Sequence, residues 1–188
     1  MWSRLLIIIS ILSLTSAAGQ NAGAEISVGP YLTSTQNDPA WKEFSDDRGG
    51  FSIMLPGTPV EADNSSDEVT GRKFILLTKA VFMVGYQNFP ADFPYDMEQH
   101  KELLKQLWDA ERDAVLSESK AKLLSQTDVV VEGHPGRLTK LERTNGGTST
   151  EKTLAVGKRV YQIFVITRSE AEATKFLDSF KLIQPNQR

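Results

Sequence analysis

VYQIFVIT, residues 160–167, decides the fold. Apolar side chains fall on both alternating sets of positions, so a strand here needs cover on its two faces. VFMVGY, 81–86, reads the same way, and so does 69–78, with Phe74, Ile75, Leu76 and Leu77 in sequence. Lys79 and Ala80 connect those two strands. Upstream, FSIML at 51–55 is a short strand stopped by Pro56-Gly57-Thr58-Pro59, and 60–66 reads as a polar, acidic loop. Downstream of 86 comes the one long helix. Asp96 is its expected N-cap, with Gln99 completing a capping box. Leu103, Leu104, Leu107, Trp108, Ala114 and Val115 form its apolar stripe, and it is expected to end near Ser117.

A meander follows. The stretch 123–132 turns at Gly133-His134-Pro135-Gly136 into 137–144. Asn145-Gly146-Gly147 leads to 148–156, and Gly157-Lys158 leads back to 160–167. Ser169 with Glu172 is a second capping box, opening a short final helix with Phe176, Leu177 and Phe180 facing inward. The order is βββ-α-ββββ-α, with hairpin-length connections that make most strands antiparallel. The expected class is α+β: a three-layer α/β/α sandwich around a mostly antiparallel sheet of about six to seven strands.

Of 188 residues, 40% are apolar and 24% charged, with 21 Lys and Arg against 24 Asp and Glu. This excludes a wholly disordered chain, a collagen-like repeat and a polytopic membrane protein. A net charge of −3 argues against nucleic acid as the partner. Arg4 is followed by the apolar run LLIIISILSL at 5–14 and by the small residues Ser16 and Ala18. That is the pattern of a secretory signal peptide, cleaved after Ala18. The run is half the length of a spanning helix, which needs about 20 apolar residues, so no stable membrane insertion is expected after cleavage. The expected location is periplasmic or extracellular. Residues 19–40 read as a flexible lead-in, 41–183 as a single domain and 184–188 as a tail. The chain has no cysteine, which excludes thiol catalysis, cysteine-ligated zinc, iron–sulfur clusters and a lipidated N-terminal cysteine.

Three motifs, in this order, resemble small exported bacterial proteins of the Mog1/PsbP-like superfamily. They are Phe51-Ser-Ile-Met-Leu-Pro-Gly-Thr-Pro59, then Gly133-His-Pro-Gly-Arg137, then the pair Arg159-Val-Tyr-Gln-Ile-Phe-Val165 and Phe176-Leu-Asp-Ser-Phe-Lys-Leu182. The resemblance covers about 41–183 and implies the same sandwich. It implies no single activity: the superfamily includes a photosystem accessory subunit and a small-GTPase-binding protein.

The chemistry-bearing residues are sparse. His100 and His134 have no metal-ligand spacing, and no Gly-x-Ser-x-Gly elbow is present. Glu61, Asp63, Asp67 and Glu68 lack the spacing and the glycine of a calcium loop and read as a solvated surface. Arg137, Lys140, Arg143, Lys152, Lys158 and Arg159 are interrupted by Glu132, Glu142 and Glu151, as on a solvated face. No catalytic, cofactor-binding or metal-ligating residue is assigned, and no cofactor is expected. One connection stands out: Asn88-Phe89-Pro90-Ala91-Asp92-Phe93-Pro94-Tyr95 joins strand to helix with three aromatics and two prolines. Phe89, Phe93 and Tyr95 are either a lid on the core or a recognition loop for an envelope protein, peptide or glycan. The leading expectation is an exported, non-enzymatic binding or accessory domain. The alternative is a small envelope hydrolase using a carboxylate pair, which sequence alone does not select.

Overall fold

The computed structural model describes residues 40–63, 65, 69–94, 96–144 and 146–183. The expected signal peptide, most of the lead-in and the C-terminal tail lie outside these residues. Ten strands and two helices run in the order β1 (Lys42–Asp46), β2 (Phe51–Leu55), β3 (Val60–Asp63), β4 (Thr70–Leu77), β5 (Val81–Asn88), α1 (Lys101–Ser119), β6 (Lys122–Val131), β7 (His134–Glu142), β8 (Thr148–Val156), β9 (Arg159–Thr167), α2 (Glu170–Asp178) and β10 (Lys181–Leu182). Seven strands form an antiparallel sheet in the order β3-β4-β5-β9-β8-β7-β6, and three form a second sheet, β1-β2-β10.

The two-faced strands sit where their composition requires. β5 and β9 are central neighbours, paired Phe82↔Val165 and Val84↔Ile163. On one face Phe82, Val84, Ile163, Val165 and Leu154 meet Phe176 and Leu177 of α2 and Phe51, Ile53 and Leu55 of β2. On the other face Ala155 of β8, one residue along from Leu154, meets Leu104 and Trp108 of α1.

Several expectations are corrected. The 51–55 strand leaves the main sheet and joins the second one, so the side that holds α2 is shared between helix and strands. Residues 60–63 of the expected loop are a strand on the outer edge of β4, where one solvated side tolerates Glu61. Arg72 takes Glu61 on one side and Asp46 of β1 on the other, tying the two sheets together. The Glu61 hydrogen bond and the two carboxylate charges outweigh burial and raise the Arg72 pKa. The long helix starts at Lys101 with His100 as its N-cap and no side-chain cap. Asp96 instead caps the turn before it, accepting from the Glu98 amide at 3.0 Å. The 133–136 turn shrinks to Glu132-Gly133, both with positive φ (50° and 91°), so His134 and Pro135 lie in β7. Pro135 precedes the pairing of β7 with β8, which begins at Gly136, so its missing N–H costs that ladder nothing.

The second capping box forms by half. Ser169 Oγ accepts from the Glu172 amide, but Glu172 takes the Thr167 hydroxyl rather than the Ser169 amide. Among the described residues no helix is long and apolar enough to cross a membrane.

Candidate functional site

The segment between β5 and α1 is clasped by the β8–β9 hairpin. The Phe89 amide donates to Lys158 O at 2.9 Å and the Met97 amide to Gly157 O at 3.0 Å. Lys158 Nζ donates back to Ala91 O. Glu98 closes the clasp: Oε2 accepts from the Gly157 amide at 3.1 Å, and Oε1 lies 2.9 Å from His134 Nδ1. Gly157 can turn here because its φ is +56°. On this frame Phe89 and Phe93 stack face to face, centroids 4.4 Å apart and planes 23° apart. Both are half-buried, packed on the Met97, Leu104, Trp108 and Ala155 cluster, each with an accessible part. Tyr95 lies outside the described residues. Thus two of the three expected aromatics are brought together as one stacked pair.

A second feature was not selected from sequence. Beneath α1 the sheet carries a polar layer. Arg137 of β7, 3% exposed, donates to Asp109 of α1 at 2.7 Å and to Asp128 of β6 at 2.9 Å, and lies 5.2 Å over the Trp108 ring. Burial pushes the Asp109 carboxyl up, but the Gln126 hydrogen bond and the Arg137 and Arg112 charges outweigh it and hold it below its usual range. One step along the layer, Gln162 of β9 is 4% exposed. Its Nε2 donates to Glu111 of α1 at 3.2 Å and also to Glu151 of β8. Burial and the Glu151 charge hold the Glu111 carboxyl well above its usual range. Burial pushes Glu151 up to about 7, against the Gln162 hydrogen bond that favours its charged form. Gln162 Oε1 and Trp108 Nε1 are buried with no hydrogen-bond partner among the described residues.

The sequence did hold a signal for this layer. Gln162 is the one amide in VYQIFVIT, and Ser149, Glu151 and Thr153 recur at period two along β8. What the sequence lacks is the register that sets Thr153 between Gln162 on one side and Arg137 on the other. His100 and His134 do not meet: His100 Nδ1 contacts Asp96 O, and His134 contacts Glu98. Among the described residues no group of three or more His, Cys, Asp or Glu is placed to hold a metal ion.

No protein-family model matches the chain, and no curated protein matches it. Solved structures are similar to it. Cyanobacterial PsbP (CyanoP) from Synechocystis sp. PCC 6803 shares 13% identity over 81% of this chain and 98% of its own, with a TM-score of 0.49. Protein of unknown function PA94 from Pseudomonas aeruginosa shares 16% identity over 70% of this chain and 85% of its own, with a TM-score of 0.37. A protein from Bacteroides thetaiotaomicron VPI-5482 shares 15% identity over 78% of this chain and 50% of its own, with a TM-score of 0.35. The fold described above rests on this chain's own strand order.

Proposed function

We propose that the chain is an exported, non-enzymatic accessory or binding domain of the cell envelope that takes a protein, peptide or glycan partner on the segment of Phe89, Phe93 and Tyr95. The observation that carries this reading is the Phe89–Phe93 stack, held by a backbone clasp on the β8–β9 hairpin. A preformed aromatic platform offers large contact area with little ordering cost on binding. Export rests on the apolar run at 5–14 and the small residues before Gly19.

The test is affinity capture from the native envelope fraction with the chain beginning at Gly19, beside mass spectrometry of the native N-terminus. A start near Gly19 is expected. Phe93→Ala is expected to weaken capture at least tenfold. If Phe93 serves binding more than packing, its loss leaves stability within about 0.5 kcal/mol in urea denaturation. A stability loss above about 1 kcal/mol with unchanged capture would make the segment a lid on the core.

A second reading has its own observation. Hydrolysis by a carboxylate pair needs one carboxyl held protonated near neutrality, and Glu111 and Glu151 converge on one amide with both carboxyls raised. It would require Glu151→Gln to abolish turnover of an envelope glycan while the protein stays folded.

A further inference from the structure

Glu111 of α1 and Glu151 of β8 share a single donor, the Nε2 of Gln162. An amide nitrogen carries two hydrogens and can serve both carboxyls. Its other end is unmatched: Gln162 Oε1 is buried and accepts nothing among the described residues. An ionised carboxylate only accepts, so two carboxylates leave that oxygen unsatisfied and repel each other. A single proton on the pair supplies a hydroxyl that can donate to Oε1 while the other carboxylate keeps Nε2. The amide is then satisfied at both ends.

The other charges facing this place are accounted for. On α1, Arg112 is engaged by Asp109 and Asp113. Arg137 of β7 is engaged by Asp109 and by Asp128 of β6. Lys73 of β4 lies on the row of Gln162, with Gly85 of β5 between them, and the β9 residues on this face, Val160, Gln162, Phe164 and Ile166, carry no charge. Among the described residues neither Glu111 nor Glu151 forms an ion pair with any of these cations.

The helix is anchored unevenly. Its buried apolar residues, Leu104 and Trp108, fall in its first half. From Glu111 to Ser119 no side chain is fully buried. Polar contacts hold that half: Glu111 to Gln162, and Arg112 to Gln126 of β6 at 2.9 Å.

We propose that Glu111 and Glu151 form a proton latch across Gln162, which holds the second half of α1 on the sheet when one proton is shared and releases it when that proton is lost. The inference is independent of both functional readings above, because its readout is neither capture nor hydrolysis. The sign follows from the raised carboxyls. The contribution is fully present below the ordinary glutamate range and is lost as pH rises through the raised titration of the pair, about 7 for Glu151. Asp109, held low, stays ionised throughout and does not contribute to the change.

Hydrogen exchange of the chain at pH 5.5 and pH 8.5, corrected for intrinsic exchange, reads the latch on amides 111–119. Protection is expected to fall about tenfold for each pH unit between the ordinary glutamate range, where the opened helix loses the proton, and the pair's own raised titration, and to level off above it. Glu111→Gln replaces the acid by a neutral donor and is expected to keep protection high at both pH values. Glu151→Gln is expected to do the same, and either variant suffices if the other fails to fold. Equal corrected protection of the wild-type helix at the two pH values would overturn the latch. So would an unchanged pH dependence in a folded Gln variant. Recovery of wild-type protection at pH 8.5 on adding millimolar Mg²⁺ or Ca²⁺ would overturn it too, because a cation would then bridge the carboxylates.

Discussion

Phe51→Ala is expected to lower stability by about 3–5 kcal/mol, the cost of emptying a large aromatic site in a packed core. Phe51 has no exposed surface. Its ring stacks on Phe180 at 5.8 Å and meets Phe74 and Tyr161 edge-on at 6.2 Å each. Phe44 approaches from β1 at 6.3 Å. These neighbours come from both sheets and from the residue before β10, so they cannot close on the cavity together. A small domain has about 5–15 kcal/mol in all, so this single change consumes a large share of it. Urea denaturation gives the value, with Leu77→Ala as a control. Leu77 is 71% exposed and its truncation is expected to stay within about 0.5 kcal/mol. A Phe51→Ala loss below about 1 kcal/mol would mean that the Phe51 ring does not fill the space between the two sheets.

Trp108→Ala is expected to cost a comparable amount, about 3–5 kcal/mol, through the other face of the main sheet. Trp108 is 8% exposed and joins Met97, Leu104 and Ala155, with Phe89 and Phe93 against the same cluster. It also carries Arg137 over its ring. Trp108→Phe is expected to lose much less than the alanine variant. It keeps a ring beneath Arg137 and removes the indole N–H, which has no partner among the described residues. Calorimetry of the two variants side by side measures the difference. If both cost under about 1 kcal/mol, α1 draws its hold on the sheet from somewhere other than this ring.

The strands with two apolar faces were legible because burial on both sides leaves polar residues few positions. The edges were not. β1 reads KEFSD and β3 reads VEAD, and an outer strand with one solvated side needs no stronger pattern. β10 has two residues, too few for any periodicity. The start of α1 was misplaced because Asp96 is a good cap, and it does cap, but the turn it closes is separated from the helix by His100. The aromatic segment was legible as an anomaly of composition. The Glu111, Glu151 and Gln162 group was not, because it draws on one helix and two strands. Only the pairing of β8 with β9, and the placing of α1 over them, joins Glu111 to residues 40 or more positions later.

The attachment of β10 to β2 has a consequence for the order in which the chain is made. Ser179 Oγ accepts from the Met54 amide, a bond between residues 125 apart, and the Ile183 amide reaches back to Gly50 O. During synthesis Phe51 is out of the ribosome long before Phe180 exists to stack on it. The nascent chain therefore carries an unfinished three-stranded sheet and an open aromatic core until residues 176–183 have been made. Completion waits for residues 176–183, so the two sheets close around the aromatic core in one late step rather than growing from the N-terminal strands.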